Sequence, residues 1–170
     1  MNRTYATYFE FGNTPGRATI GWAGLPNNEH IVFTCIAGAD LTKRKAVRPK
    51  NMALSATASP GVLYGDTFYL SAKSGFIPDQ GIVTPDVELQ LRQTMRNLLD
   101  GLQETDLDFP DVVFSTVYLK HIEDADKVHA LYGTFFKKNF PAQTTLQQSF
   151  DVKTTTEEQI SFIAVRQPKP

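Results

Sequence analysis

Apolar and polar positions in residues 61–166 recur in blocks that predict strands and helices in a regular order. The run from Gly61 to Ala72 holds two short apolar stretches separated by Gly65-Asp66, a dipeptide typical of a hairpin turn. Three further strands are predicted from runs rich in apolar, β-branched and aromatic residues, at 111–119, 143–152 and 159–165.

Two helices are predicted between these strands, because apolar residues recur there every three or four positions. The first begins with Thr84 as N-cap and Pro85 in the first helical position, and it ends between 101 and 105. The second covers about 122–136. The stripes expected to be buried are Val87, Leu91, Met95, Leu98 and Leu102 on the first helix, and Val128, Leu131, Tyr132, Phe135 and Phe136 on the second.

The order of these elements is strand, strand, helix, strand, helix, strand, strand. That order predicts an α+β fold in which both helices cover one face of the sheet. A chain of 170 residues can bury a self-sufficient core, so one globular unit is expected.

Residues 1–38 repeat the end of this pattern. Several blocks in the same order are harder to obtain by chance than one, so an internal repeat is predicted. The chain would then comprise a partial module at 1–38 with a helix end and two strands, a linker at 39–60 and a complete module at 61–170. The matching blocks are YATYF with YGTFF, PGRATI with PAQTTL, and FTCIAG with ISFIAV.

Composition narrows the classes of protein that this chain can be. Seventeen Lys and Arg against eighteen Asp and Glu give a net charge of −1, so binding to nucleic acid through a broad positive surface is not indicated. The basic cluster at 43–50 is interpreted as a solvated linker. Cys35 is the single cysteine, which excludes an internal disulfide and a cysteine-based zinc site, and we expect it to be buried in a strand.

Neither a membrane segment nor a cofactor is predicted. No apolar run is long enough to span a bilayer, and the first residues lack the apolar core of a signal peptide, so a cytoplasmic protein is expected. The acidic residues between 108 and 126 flank predicted strand and helix ends, where they serve as caps, and they show no metal-binding pattern.

Six blocks within residues 61–166 resemble the RidA/YjgF superfamily, also known by the older label endoribonuclease L-PSP. The resemblance implies a chorismate-mutase-like mixed sheet, here with an extra N-terminal strand pair, and a homotrimer with ligand clefts between subunits. It also implies hydrolysis of enamine and imine intermediates to keto acids and ammonia. The blocks are GDTFYLS, GFIP, LQLRQTMRNLLDGL, DVVFSTVYL, LYGTFFKKNFPAQTTL and QISFIAV.

The complete module departs from this family where the family's chemistry is concentrated. Active members place an arginine after Pro-Ala in one strand and a Glu-x-Glu pair on the last strand. This chain has Gln143 at the arginine position, and Gln159 and Ser161 at the two acidic positions. Ala58 stands where the family has a tyrosine. A glutamine brings no charge to a substrate carboxylate, so the loss at a bidentate site is substantial.

The partial module retains the missing cation. By the repeat, Arg17 occupies the arginine position and Asn2 the position of a pocket asparagine, where the complete module has His129. Arg17 is either a carboxylate anchor in a cleft or a solvated arginine at a strand edge. His129 beside Gln143 is more readily explained as a histidine on a helix surface than as part of a reactive pocket.

Two functional hypotheses follow. The first is a hydrolase of a small imine, enamine or related carboxylate metabolite, with Arg17 as anchor and Gln143, Gln159 and Ser161 as polar helpers. The second is a non-catalytic ligand-binding or interaction module that kept the fold. A ribonuclease is less favoured, because neither an acid–base pair nor a basic groove is evident. In each case a homo-oligomer, with a trimer favoured, is expected.

Overall fold

The structure is a computed structural model that describes residues 1–50, 52–149 and 155–167. Six strands form one mixed sheet in the order β1-β2-β3-β6-β4-β5, in which β4 and β5 are parallel and the other neighbours antiparallel. The strands are β1 Arg44–Val47, β2 Gly61–Tyr64, β3 Thr67–Leu70, β4 Val112–Leu119, β5 Ala142–Gln147 and β6 Glu158–Val165, and the α-helices are α1 Asn2–Ala6, α2 Val87–Gln103 and α3 Ala125–Gly133.

The core lies between one face of the sheet and helices α2 and α3. The five predicted stripe positions of α2 are all buried and belong to the main apolar cluster. The same cluster contains Ile160, Phe162 and Ala164, which alternate along β6 and therefore face the helices. The predicted α+β architecture with helices on one face is confirmed.

The hairpin between β2 and β3 turns where the sequence predicts it. Tyr64 pairs with Thr67 across the turn, and Gly65 adopts a φ of 59°. This left-handed conformation favours glycine, because a side chain would clash with the backbone.

The helix boundaries differ from the sequence prediction. Asp86, not Thr84, caps α2, since its carboxylate accepts from the backbone N–H groups of Glu88 and Leu89 at 2.9 and 3.0 Å. Thr84 instead accepts from the backbone N–H of Asp86 at 3.1 Å. The second helix is shorter than predicted and ends at Gly133. Its predicted start is a separate short 3-10 turn, Ile122–Asp124.

The predicted N-terminal strand pair was wrong. In the described part of the chain, residues 1–38 form no strand, and Gly16 makes only an isolated parallel bridge to Ser59. A strand requires a neighbour that satisfies its N–H and C=O groups along its length, and none of the six strands pairs with residues 1–38 in this way. The interpretation of 39–60 as linker also needs correction, because β1 lies within it and pairs with β2.

Residues 31–36 are an apolar segment on the surface. Ile31, Val32, Phe33 and Ile36 are all exposed. The expectation that Cys35 is buried was wrong, since its side chain is exposed as well. The match of FTCIAG with ISFIAV predicted a strand here, but none of the six strands of the sheet pairs with these residues.

A side chain at Gly75 is predicted to destabilise the protein, because the loop that contains Gly75 lies directly on α2. The Asn97 side chain donates to the carbonyls of Ser74 and Phe76 at 3.0 and 2.8 Å and holds this loop against the helix. A Cβ at Gly75 would lie 2.7 Å from the Cα of Gln90. Gly75→Ala should therefore lower the free energy of unfolding in urea by about 2 kcal/mol, because backbone must shift.

Gly24→Ala is the matched control, because a Cβ there would meet nothing within 4 Å. It should leave the free energy of unfolding unchanged. Equal stabilities of the two variants would contradict the close approach at Gly75.

Candidate functional site

Residues 15–17 lie against the complete module and are hydrogen-bonded on both sides. The backbone N–H of Ser59 donates to the carbonyl of Pro15 at 2.9 Å. On the other side, the Ser71 hydroxyl accepts from the backbone N–H of Arg17 at 2.7 Å and donates to the carbonyl of Ser59 at 2.5 Å. The N–H of Ala72 donates to the carbonyl of Arg17 at 3.2 Å. These hydrogen bonds fix residues 15–17 to the chain segments that precede β2 and follow β3.

Two further contacts anchor this segment. Thr14 and Ser59 share a hydrogen bond between their hydroxyls at 3.1 Å, and both residues are buried. The N–H of Ser149, just after β5, donates to the carbonyl of Gly21 at 2.9 Å. Buried hydroxyls that are paired with each other avoid the cost of an unsatisfied polar group.

The Arg17 side chain extends toward α1. Its Nη2 donates to Oδ1 of Asn2 at 3.1 Å, and the guanidinium carbon lies 4.6 Å from the centre of the Tyr5 ring. Among the described residues, no carboxylate pairs with this guanidinium, although a guanidinium carries five N–H donors. A half-buried arginine that is oriented by an amide and an aromatic ring, and not neutralised, can bind an anion.

The corresponding corner of the complete module has Gln143 in place of an arginine. Nε2 of His129 lies 2.8 Å from the hydroxyl of Thr145, and the Tyr132 hydroxyl donates to that of Ser115 at 3.0 Å. Burial raises the pKa of Tyr132 to about 12, and the side chains of Ser115 and Gln143 partly offset this rise. By the predicted repeat, Tyr132 and Gln143 correspond to Tyr5 and Arg17.

The sheet separates the polar residues that the sequence grouped together. Gln143 pairs with Ser115, whose hydroxyl contacts α3, so Gln143 belongs to the helix-covered face at the β5 edge. Gln159 and Ser161 alternate with the core residues of β6 and therefore lie on the opposite face. Within one chain these side chains do not line one site. Asn2 and Arg17 are in contact, as noted above.

Lys73 is an ionisable residue near Arg17 that sequence reasoning missed. It follows Ala72 and forms two backbone hydrogen bonds with Ile160, at 2.9 and 2.8 Å, between the positions of Gln159 and Ser161. Its Nζ lies 3.7 Å from the sulfur of Met52. Removal from water lowers the pKa of Lys73 to about 8. No local sequence signal distinguishes this lysine from a surface lysine.

Neither a metal cluster nor a membrane helix is found in the part of the chain that the structure describes. No three His, Cys, Asp or Glu side chains converge there in a way that could hold a metal ion. None of the helices described there combines the length and the apolar character needed to cross a bilayer.

Comparison with known protein families assigns the chain to one of them. The profile of the family described as Endoribonuclease L-PSP matches residues 50–164, well over half of the sequence. The chain therefore belongs to the Endoribonuclease L-PSP family. The predicted RidA/YjgF relationship is confirmed, whereas the partial N-terminal repeat lies before the match and stays a prediction.

Several named proteins and a solved structure are similar to this chain at modest identity. A human protein named 2-iminobutanoate/2-iminopropanoate deaminase is 36% identical over 90 residues, covering 52% of this chain and 66% of that protein. Its rat counterpart of the same name is 35% identical over 111 residues, covering 65% and 80%. The crystal structure of the YjgF gene product from E. coli superposes with a TM-score of 0.65 at 28% identity, covering 72% of this chain and 99% of that one.

We predict that the Ser71 hydroxyl holds residues 15–17 in place. Ser71→Ala removes the acceptor of the Arg17 N–H and the donor to the carbonyl of Ser59, so it should lower the free energy of unfolding by about 1 to 2 kcal/mol. Ser74→Ala is the control, since the backbone carbonyl of Ser74, not its hydroxyl, is the group bonded to Asn97. Urea denaturation that ranks the two variants equally would contradict this role.

Proposed function

We propose that this L-PSP family member hydrolyses a small imine or enamine that carries a carboxylate, with Arg17 as the carboxylate anchor. The observation that supports this proposal is the Arg17 guanidinium, which is oriented by Asn2 and Tyr5 and faces no described carboxylate. Similar proteins named 2-iminobutanoate/2-iminopropanoate deaminase support the same class of substrate.

The chemistry requires little beyond orientation of the substrate. Water adds to the carbon of the protonated C=N bond, giving a carbinolamine and releasing a proton. The nitrogen then takes up a proton, the C–N bond breaks with release of ammonia, and the hydroxyl group loses its proton to water or ammonia as the C=O bond of the keto acid forms. An enamine first takes a proton at carbon to become the imine. Because the protonated imine is already electrophilic, a fixed carboxylate and an ordered water give catalysis without a strong base.

The direct test measures ammonia and keto acid released from freshly generated 2-aminoacrylate. We expect the full chain to accelerate release above the rate in buffer, in proportion to protein concentration. Heat-denatured protein is the control for buffer catalysis. A rate that does not depend on the amount of folded protein would refute the proposed hydrolase.

A second candidate is a binding module without turnover. It is favoured by the neutral residues at Gln143, Gln159 and Ser161, because none of them supplies a general base near neutral pH. Thermal-shift measurements with pyruvate and related stable keto acids separate the two functions. A shift without ammonia release supports the binding module, and a homo-oligomeric assembly remains a further proposal for either function.

A further inference from the structure

A cavity of about 330 Å³ lies beside residues 15–17, since Ser59, which bonds to Pro15, is one of its lining residues. Arg17 itself does not line this cavity. It is bounded by β1, by the loop that precedes β2 and by the end of α2. Its volume is at the lower end of the range for small-molecule sites. The polar residues that line it are Lys45, Arg48, Ser55, Ser59 and Glu104.

Exposed side chains of opposite charge line this cavity. Lys45 and Arg48 come from β1 and the residue after it, and Glu104 comes from the C-terminal cap of α2. In residues 1–50, 52–149 and 155–167, none of the three takes part in an ion pair within 4.0 Å. The Arg48 guanidinium donates instead to the backbone carbonyl of Met52.

Glu104 is an exposed carboxylate at a helix end that favours positive groups. The C-terminal end of a helix carries partial negative charge, so a carboxylate there is repelled and a positive group is attracted. Glu104 caps α2 at this end and has no described cationic partner. A ligand with a positive group near Glu104 would remove the repulsion, whereas a simple anion would add to it.

We propose that this cavity binds a small zwitterion of the amino acid class. The carboxylate of the ligand faces Lys45 and Arg48, and its ammonium faces Glu104. A ligand with only one of these charges would meet at least one like charge in the cavity. This inference is independent of the proposed hydrolysis, because none of its cavity residues is the Arg17 anchor.

Isothermal titration calorimetry of the full chain with three related probes tests the inference. L-Alanine carries both charges, N-acetyl-L-alanine lacks the ammonium, and L-alaninamide lacks the carboxylate. We expect L-alanine to bind at least about tenfold more tightly than either analogue, a difference of about 1.4 kcal/mol. Equal binding of N-acetyl-L-alanine, or no binding of L-alanine, would overturn the proposal.

Variants locate the two ends of the ligand. Glu104→Gln should abolish the preference for L-alanine over N-acetyl-L-alanine, and Arg48→Gln should weaken the preference over L-alaninamide. Glu123→Gln is the matched control, because Glu123 is an exposed acid outside the cavity. Unchanged selectivity in Glu104→Gln, with an unfolding transition like that of the wild type, would refute the assignment. Arg17→Gln should leave L-alanine binding unchanged, which separates this site from the proposed hydrolase.

Discussion

Replacing Arg17 with glutamine should lower kcat/KM for ammonia release from 2-aminoacrylate by about 100-fold, or about 2.7 kcal/mol in activation free energy. The variant keeps hydrogen-bonding capacity but removes the charge that holds the substrate carboxylate. It also reproduces in the partial module the residue that the complete module has at Gln143. Steady-state assays with freshly generated substrate measure the change.

Two companion variants make this result specific. Arg17→Lys keeps a point charge but not the planar fork of donors, so its activity should lie between those of the wild type and Arg17→Gln. Arg3 is an exposed arginine in α1, the helix whose Asn2 and Tyr5 contact Arg17. The Arg3→Gln variant should therefore retain full activity. Equal rates for wild type and Arg17→Gln would exclude Arg17 from the mechanism.

The stability of the protein should fall as the pH rises from about 4.5 to about 8, and Glu158 should cause much of this fall. Glu158 is fully buried, where the Thr94 hydroxyl donates to its Oε1 and Oε2 has no described partner. Burial raises the pKa of Glu158 from 4.5 to about 8. In this window the folded state retains a proton that the unfolded state releases, so folding becomes less favourable as the pH rises.

Glu158→Gln removes this titration while keeping an oxygen that accepts from Thr94. Relative to the variant, the wild type should lose about 4 kcal/mol in free energy of unfolding between pH 4.5 and pH 8.5. Urea denaturation across this range measures the difference, with Glu123→Gln as control for loss of an exposed carboxylate. The same pH slope in wild type and Glu158→Gln would contradict a buried neutral Glu158.

Most of the complete module could be predicted from the sequence, because local patterns determine it. The apolar stripe of α2, with Leu91 and Met95 fully buried, follows from a period near 3.6 residues. The hairpin follows from Gly65, which supplies the left-handed turn. Helix ends were less predictable, since Thr84 and Asp86 are both good caps and local sequence does not say which of them caps α2.

The arrangement of the site required the tertiary structure. The sequence placed Gln143, Gln159 and Ser161 in one group, but side-chain alternation in paired strands puts them on two faces of the sheet. It also gave no indication that Lys73 is desolvated or that Glu158 is buried, since both effects depend on residues distant in the chain.

By itself, the sequence determined the family, the order of the elements in the complete module and the positions at which the family's charges are replaced. Periodicity and local motifs carry that information within short stretches of chain. Only the tertiary structure decided that residues 15–17 dock at Ser59 and Ser71, and that residues 31–36 stay exposed. Strand formation and burial depend on a partner surface, and no local pattern specifies whether that partner is present.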